Sequence, residues 1–278
     1  MFKRIAIIGV GLIGGSIGLA TRKSRLASKI IGIGRRQISI DKALRKSAID
    51  TGTLNLKDGI KGADLIIVAT PVDKVELKIK EIAQYAEKGT IVIDVNSTKQ
   101  GIVRAAESCL PKDIFFVGTH PIAGSEQTGV SSSDAELFVN SVCMITPTTR
   151  TDKKALLRVK NLWKDMGAQV KIMSPKLHDN IVANISHLPH ILAYALCSSV
   201  SLKELKMAGT GFKDVTRIAK SNPRMWEEIF MQNQDSLLKS VASFQKNLNA
   251  FKNDIMSKRR TALVKRVVSA KRKRDVLG

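Results

Sequence analysis

Four groups of side chains in this sequence have the type and spacing to do chemistry. His120 closes the run Ile114-Phe115-Phe116-Val117-Gly118-Thr119 and is followed by Pro121 and Gly124. A neutral imidazole there can take the proton of a substrate hydroxyl, because its ordinary pKa lies near neutrality. The competing reading is a histidine that only shapes a turn. Ser97, in Asn96-Ser97-Thr98-Lys99, ends another β-branched run and can bridge a cofactor and a substrate. It equally suits a helix N-cap. His187 and His190 stand three apart in Ser186-His187-Leu188-Pro189-His190, so a helix sets both on one face. They serve either a common cleft or an apolar core. Arg217, in Asp214-Val215-Thr216-Arg217-Ile218-Ala219, can clamp a carboxylate with its forked guanidinium or pair with Asp214.

The scaffold for these groups is announced at the N-terminus. Ile5-Ala6-Ile7-Ile8 breaks into glycines at 9, 11 and 14, and the apolar residues Leu12, Ile13, Ile17 and Leu19 follow at helical spacing. This is a strand, tight turn and helix start with the G-x-G-x-x-G spacing of a dinucleotide site. Gly9 allows the turn, Gly11 the approach of a pyrophosphate, and Gly14 the packing of helix on strand, with Leu12 and Ile13 opening the helix beside the ligand. A signal peptide would also begin with Lys3-Arg4 and an apolar run, but five glycines interrupt this one and no small-residue cleavage site follows. At the expected distance a second strand appears, Lys29-Ile30-Ile31-Gly32-Ile33, followed by Gly34-Arg35-Arg36. An NAD site usually places an acid there for the ribose hydroxyls. A small residue and two guanidinium groups suit a 2′-phosphate instead, which favours NADP over NAD.

Further strands are expected at Asp64–Ala69, Thr90–Val95, Ile114–Gly118, Ser141–Thr146 and Ala168–Met173. Helices are expected at Ala43–Ile49, Val75–Tyr85 and Lys153–Met166. Thr70, Pro71 and Ser97 then lie at carboxyl ends of strands, where ligands bind in open α/β sheets. The alternation implies a Rossmann-type doubly wound parallel sheet over residues 1–173. From Ser174-Pro175 onward only helical periodicities appear, at 176–201, 202–211, 223–252 and 254–272. An all-α unit over 174–278 that cannot close its own core is expected to pair with a second copy, giving a homodimer.

Composition narrows the classes. Lys and Arg outnumber Asp and Glu by 46 to 24, for a formal charge of +22, which favours an anionic partner. The basic clusters at 258–260, 265–266 and 271–274 are read as a solvated helix face; without interleaved aromatics, nucleic-acid binding is the remoter reading. Three separate cysteines and four histidines without ligand spacing argue for a reducing compartment and against a metal site. No segment after Ala20 is expected to reach membrane-spanning length, so a cytoplasmic protein is expected.

Taken in order, the motifs GVGLIGGS, ATP at 69–71, DVNSTK at 94–99, THPIAGSE at 119–126, HD at 178–179, SHLPH at 186–190 and GFKDVTRIAKSNPRMW at 211–226 form a specific combination. The chain resembles the prephenate and arogenate dehydrogenases of tyrosine biosynthesis over nearly its full length. The resemblance implies a Rossmann domain, a helical dimerisation domain and an active site between them. It implies that His120 is the catalytic histidine on the ring hydroxyl and that Ser97 assists near the nicotinamide. His187, His190 and Arg217 would bind the substrate, with Ser125 and Glu126 at the pocket mouth. Asn96 departs from the small residue that many members carry there. Between the two substrates, a donor at His190 suits the keto group of prephenate better than the ammonium of arogenate. A non-catalytic nucleotide sensor that binds nucleic acid through the basic end is the rival of another class.

Overall fold

The protein is described here by a computed structural model covering residues 1–124, 127, 129–276 and 278. Strands and helices alternate from the start: β1 (Phe2–Ile8), α1 (Leu12–Lys23), β2 (Ala27–Ile33), α2 (Gln37–Arg45), β3 (Thr51–Thr53), α3 (Leu56–Ile60), β4 (Leu65–Val68), α4 (Val72–Tyr85), β5 (Ile91–Asp94), α5 (Gln100–Cys109) and β6 (Phe115–Ile122). Then follow β7 (Val142–Thr146), α6 (Lys153–Asp165) and β8 (Gln169–Ile172). The strands make one sheet in the order β3-β2-β1-β4-β5-β6-β7-β8. Its first six strands have the order and direction of a dinucleotide-binding fold, with Ile7 paired to both Gly32 and Ile67 at the centre.

Burial on both faces explains why the central strands read as unbroken apolar runs. Ile5, Ile7, Leu65, Ile67 and Ile93 face one core with Ile17 and Trp163. Ala6, Ile66, Val68 and Val92 face the other with Val75, Ile79 and Ala106.

The sheet is not wholly parallel. β6 and β7 run antiparallel, with Thr119 opposite Ile145 and His120 opposite Met144. The link between them carries only a 3₁₀ turn, Val130–Ser132, among its described residues, and a parallel return needs a longer crossover such as a helix. α2 also starts six residues earlier than the expected Ala43, because Ile40 and Ala43 already supply its buried face. β3, a three-residue edge strand, and the short α3 carry too little apolar pattern to be foreseen.

The second half is helical: α7 (Pro175–Val182), α8 (Leu188–Ser198), α9 (Leu202–Leu205), α10 (Thr210–Thr216), α11 (Pro223–Gln232), α12 (Gln234–Met256) and α13 (Arg260–Asp275). The four long helices expected here are broken at identifiable places. Gly209 caps α10, and Asn233 leaves helical geometry between α11 and α12. A π turn over Ala183–His187 joins α7 to α8. Pro189 accounts for it, since a proline inside a helix removes a backbone donor and crowds the preceding turn.

The joined run Pro175–Ser198 corrects one expectation. It is 24 residues long, and an 18-residue stretch within it, at mean hydropathy 1.3, makes it long and apolar enough to cross a membrane. Its inner face, however, buries His178, Asp179 and His187, while Ile185 and Leu196 face outward. Trp226 and Ile229 of α11 join the two halves by entering the core beside α4.

Candidate active site

The glycine turn is shaped by close backbone approach. Gly9 sits at φ +99°, and a Cβ there would stand 2.5 Å from the Ala69 carbonyl oxygen. A Cβ on Gly14 would stand 2.1 Å from the Gly9 carbonyl oxygen, so only glycine fits at either place. A Cβ on Gly11 would meet nothing within 4 Å, so the space above it is open. α1 starts there without a side-chain cap or an acid in its first turn, which leaves its N–H groups for an anion. Thr70 Oγ1 and Asn96 Nδ2 are buried at the ends of β4 and β5 without a hydrogen-bond partner among the described residues. The open cradle and these unpartnered atoms fit a dinucleotide. Leu12 and Ile13 are half-buried on the turn, and Pro71 is exposed at the head of α4. Arg35 and Arg36 are exposed between β2 and α2.

His120 lies within β6 rather than after it, since the antiparallel pairing with β7 prolongs the strand to Ile122. The strand register sets Asp94 beside Gly118, so Ser97, just past the end of β5, and His120, in β6, lie on adjacent strands at the same end of the sheet. The Ser97 loop is pinned at both ends. Asp94 and Lys99 form an ion pair with both side chains fully buried, and Thr98 Oγ1 donates to Gln232 Oε1 of α11 at 2.9 Å. Ser97 itself is half-buried between these anchors.

His120 Nδ1 lies 2.9 Å from His178 Nε2, and His178 Nδ1 lies 2.8 Å from Asp179 Oδ1. The Asp179 carboxylate also accepts the backbone N–H groups of Lys99 at 2.8 Å and Gln100 at 2.9 Å. It thereby caps α5, which has no capping side chain of its own. Burial, followed by the nearby His178 and Lys99, holds His120 well below its ordinary pKa, so the ring stands neutral. Burial lowers His178 as well, against the pull of Asp179. Burial works to raise the Asp179 carboxyl, but the His178 and backbone hydrogen bonds hold it below its ordinary value.

The other two histidines have fixed polarity. Asn233 Nδ2 donates to the Asp179 carbonyl at 2.8 Å and to His187 Nδ1 at 3.2 Å. His187 is therefore an Nε2–H tautomer, and that donor is buried with no partner among the described residues. Burial lowers its pKa to about 4. His190 Nδ1 lies 2.9 Å from the Ser186 carbonyl, which can only accept. Burial lowers the His190 pKa too, so the neutral ring offers a lone pair at Nε2. This reverses the expected donor at His190; the donor of the pair is His187. Both rings pack on Trp226, with His190 stacked at a centroid distance of 3.4 Å.

All four histidines of the chain thus gather at one place. Arg217 does not join them within one protomer. It is exposed on the 3₁₀ turn Arg217–Lys220, in an outer cavity of about 290 Å³ lined by Lys213, Asp214, Thr216 and Lys220. Its turn packs on α8, the helix of His190. Ser125 and Glu126 lie outside the described residues. No group of three or more possible metal ligands occurs among the described residues. Spacing gave no role to His178, Asp179, Lys99, Asp94 or Trp226; the adjacent His-Asp pair inside an apolar helix was the available signal.

Residues 17–172 match the family profile described as prephenate dehydrogenase, nucleotide-binding domain, and residues 174–268 match prephenate dehydrogenase, dimerization domain. The chain is 39% identical to the prephenate dehydrogenase of Bacillus subtilis over 86% of its own length and 66% of that relative's. It is 31% identical to the cyclohexadienyl dehydrogenase of Zymomonas mobilis over 92% of this chain and 90% of that one. The crystal structure of prephenate dehydrogenase from A. aeolicus, in complex with hydroxyphenyl propionate and NAD+, superposes with a TM-score of 0.94 at 37% identity. That match covers 100% of this chain and 99% of the other.

Proposed function

The chain belongs to the prephenate dehydrogenase family, and on that premise we propose that it carries out the oxidative decarboxylation of prephenate to 4-hydroxyphenylpyruvate in tyrosine biosynthesis. The observation that carries the reading is a neutral, buried His120 at the sheet's carboxyl end, one strand from the Ser97 loop and bonded to the helical half. When bound, the nicotinamide supplies the hydride acceptor. His120 takes the proton of the ring hydroxyl while hydride leaves the same carbon, and the ring carboxylate departs as carbon dioxide, leaving an aromatic ring. Ser97 holds the nicotinamide side of that geometry. His187 donates to the substrate, and Arg217, with Ser125 and Glu126, serves its charged side chain and the pocket mouth. Positioning and fixed charge are the contributions of the protein.

Gly34 with Arg35 and Arg36 supports NADP in preference to NAD, with Gly9, Gly11, Gly14, Leu12, Ile13, Thr70 and Pro71 around the dinucleotide. The division falls at 173/174, between β8 and α7. Ile185, Leu196, Leu202 and Met207 are exposed on the helical half and suit a homodimer. Part of the charge at the basic C-terminal end is used internally, since Arg259, just before α13, and Arg266 both bind Asp254, and nucleic acid stays the remoter reading. Separate free cysteines at 109, 143 and 197 agree with a cytoplasmic setting.

Arogenate is the second reading, and the lone pair at His190 favours it, because an acceptor suits an ammonium group. Steady-state rates with prephenate and arogenate, each with NADP and NAD, test both. Faster turnover of prephenate with NADP is expected; a large preference for arogenate would reverse the substrate, and inactivity on both would overturn the reading.

A further inference from the structure

His178 and Asp179 have no role in the reaction as derived so far, yet both are buried and hydrogen-bonded in line with His120. Polarity can be followed from one end. The Asp179 carboxylate can only accept, and it already accepts two backbone N–H groups. The proton between Asp179 and His178 therefore sits on His178 Nδ1. His178 is neutral, so its Nε2 presents a lone pair, and the only proton that can fill the 2.9 Å gap is one on His120 Nδ1. His120 is then left with its lone pair on Nε2, the nitrogen remaining for substrate.

We propose that Asp179 and His178 act through His120 as a relay that fixes its tautomer and takes up the charge of the abstracted proton. The proposal rests on the dehydrogenase reading above. As the substrate O–H bond breaks, its proton forms an N–H bond at His120 Nε2. The His120 Nδ1 proton crosses to His178 Nε2, and the His178 Nδ1 proton stays on its hydrogen bond to Asp179. His120 ends neutral, and the positive charge rests on His178 beside a carboxylate. No atom is gained or lost, and the electron pair still leaves as hydride.

The surroundings favour that transfer. The groups facing His120 are His178 and Asp179 from α7, Asp94 from the end of β5, Lys99 from the β5–α5 connection, His187 from the π turn and the Cys143 thiol from β7. Lys99 opposes charge on both rings, but on His120 nothing offsets it and His187 adds to it. On His178 the hydrogen bond to Asp179 and the charges of Asp179 and Asp94 pull the other way. An orienting partner behind a catalytic histidine holds its tautomer and ring plane.

The chain has only four histidines, so ¹⁵N-histidine labelling of the full-length protein yields four ring systems. His120 is expected as the Nδ1–H tautomer, with His178 also protonated at Nδ1. A His120 protonated at Nε2 would overturn the relay, and this measurement requires neither a variant nor substrate. In His178→Gln the amide oxygen still accepts from His120 but cannot take its proton. We expect kcat to fall about 10- to 100-fold with KM and melting temperature nearly unchanged. The acid limb of the kcat pH profile moves to lower pH, because His120 alone then bears the charge. An unmoved limb with unchanged kcat would make His178 merely structural. Should His178→Gln fail to fold, the spectrum of the unaltered protein decides. An enzyme inactive on prephenate and arogenate removes the activity on which the relay rests, whereas an active one with the wrong tautomer removes the relay alone.

Discussion

Asp94 and Lys99 form an ion pair across five residues of chain, with neither side chain reaching solvent. Between them lie Val95, Asn96, Ser97 and Thr98, so this pair sets the path of the loop that carries the serine. Burial pulls Lys99 below its ordinary pKa against the attraction of Asp94. Removing one partner leaves the other charge buried and uncompensated, which costs about 3–5 kcal/mol. Lys99→Met should therefore lower the free energy of unfolding by roughly that amount in urea titrations. A loss under about 1 kcal/mol would mean that water reaches Asp94.

His120→Asn should reduce kcat by about 10²- to 10⁴-fold, the usual range for a positioned general base. Cofactor binding, followed by quenching of protein fluorescence, should be unaffected, because the glycine turn is built from other residues. Unchanged turnover would take His120 out of the mechanism.

Arg217→Ala should raise KM for prephenate about 10- to 100-fold with a smaller effect on kcat, since a charge-assisted hydrogen bond is worth about 1.5–3 kcal/mol. The exposure of Arg217 in one protomer makes this a test of where the carboxylate sits. An unaltered KM would return the residue to the outer surface.

Replacing Arg35 and Arg36 together by Ala should shift the ratio of kcat/KM values from NADP toward NAD by at least about tenfold, as expected when a forked phosphate contact is lost. Both side chains are exposed, so folding should be unaffected, and melting curves check that. An unchanged ratio would defeat the 2′-phosphate argument.

Stability should fall on mild acidification. His187 titrates at about 4 in the fold and at 6.5 as an ordinary group, so between those values the unfolded chain binds more protons. Its contribution is full above pH 6.5 and is lost as pH falls toward 4, amounting to about 3 kcal/mol. His120, His178 and His190 are shifted the same way and steepen the slope. Urea midpoints measured from pH 7 to pH 4 check it, and His187→Phe should flatten the curve.

The sheet half was largely legible because its signals are local. Gly9 and Gly14 sit where a Cβ would strike backbone, and a central parallel strand has to be apolar on both faces. The reversed direction of β7 was not legible, because strand direction depends on what the connecting chain does and not on the strand's own residues. The site was half legible. His120, His187 and His190 could be singled out by spacing, but the polarity of His190 depends on the carbonyl of Ser186 and that of His187 on Asn233, 46 residues away. His178 and Asp179 gave no periodic signal, since their partners His120, Lys99 and Gln100 come from the other half of the chain.

Asp179 reaches from the helical half to the N–H groups of Lys99 and Gln100 at the start of α5, while Thr98 and Gln232 tie the same loop to α11. Any hinge bending that parted sheet from helices along this seam would uncap α5 and strip His120 of its neighbour in a single movement. Ligand traffic should accordingly pass through rearranging loops at the cleft rim, with the two halves riding as a rigid block. Scattering curves recorded with and without cofactor should then superimpose.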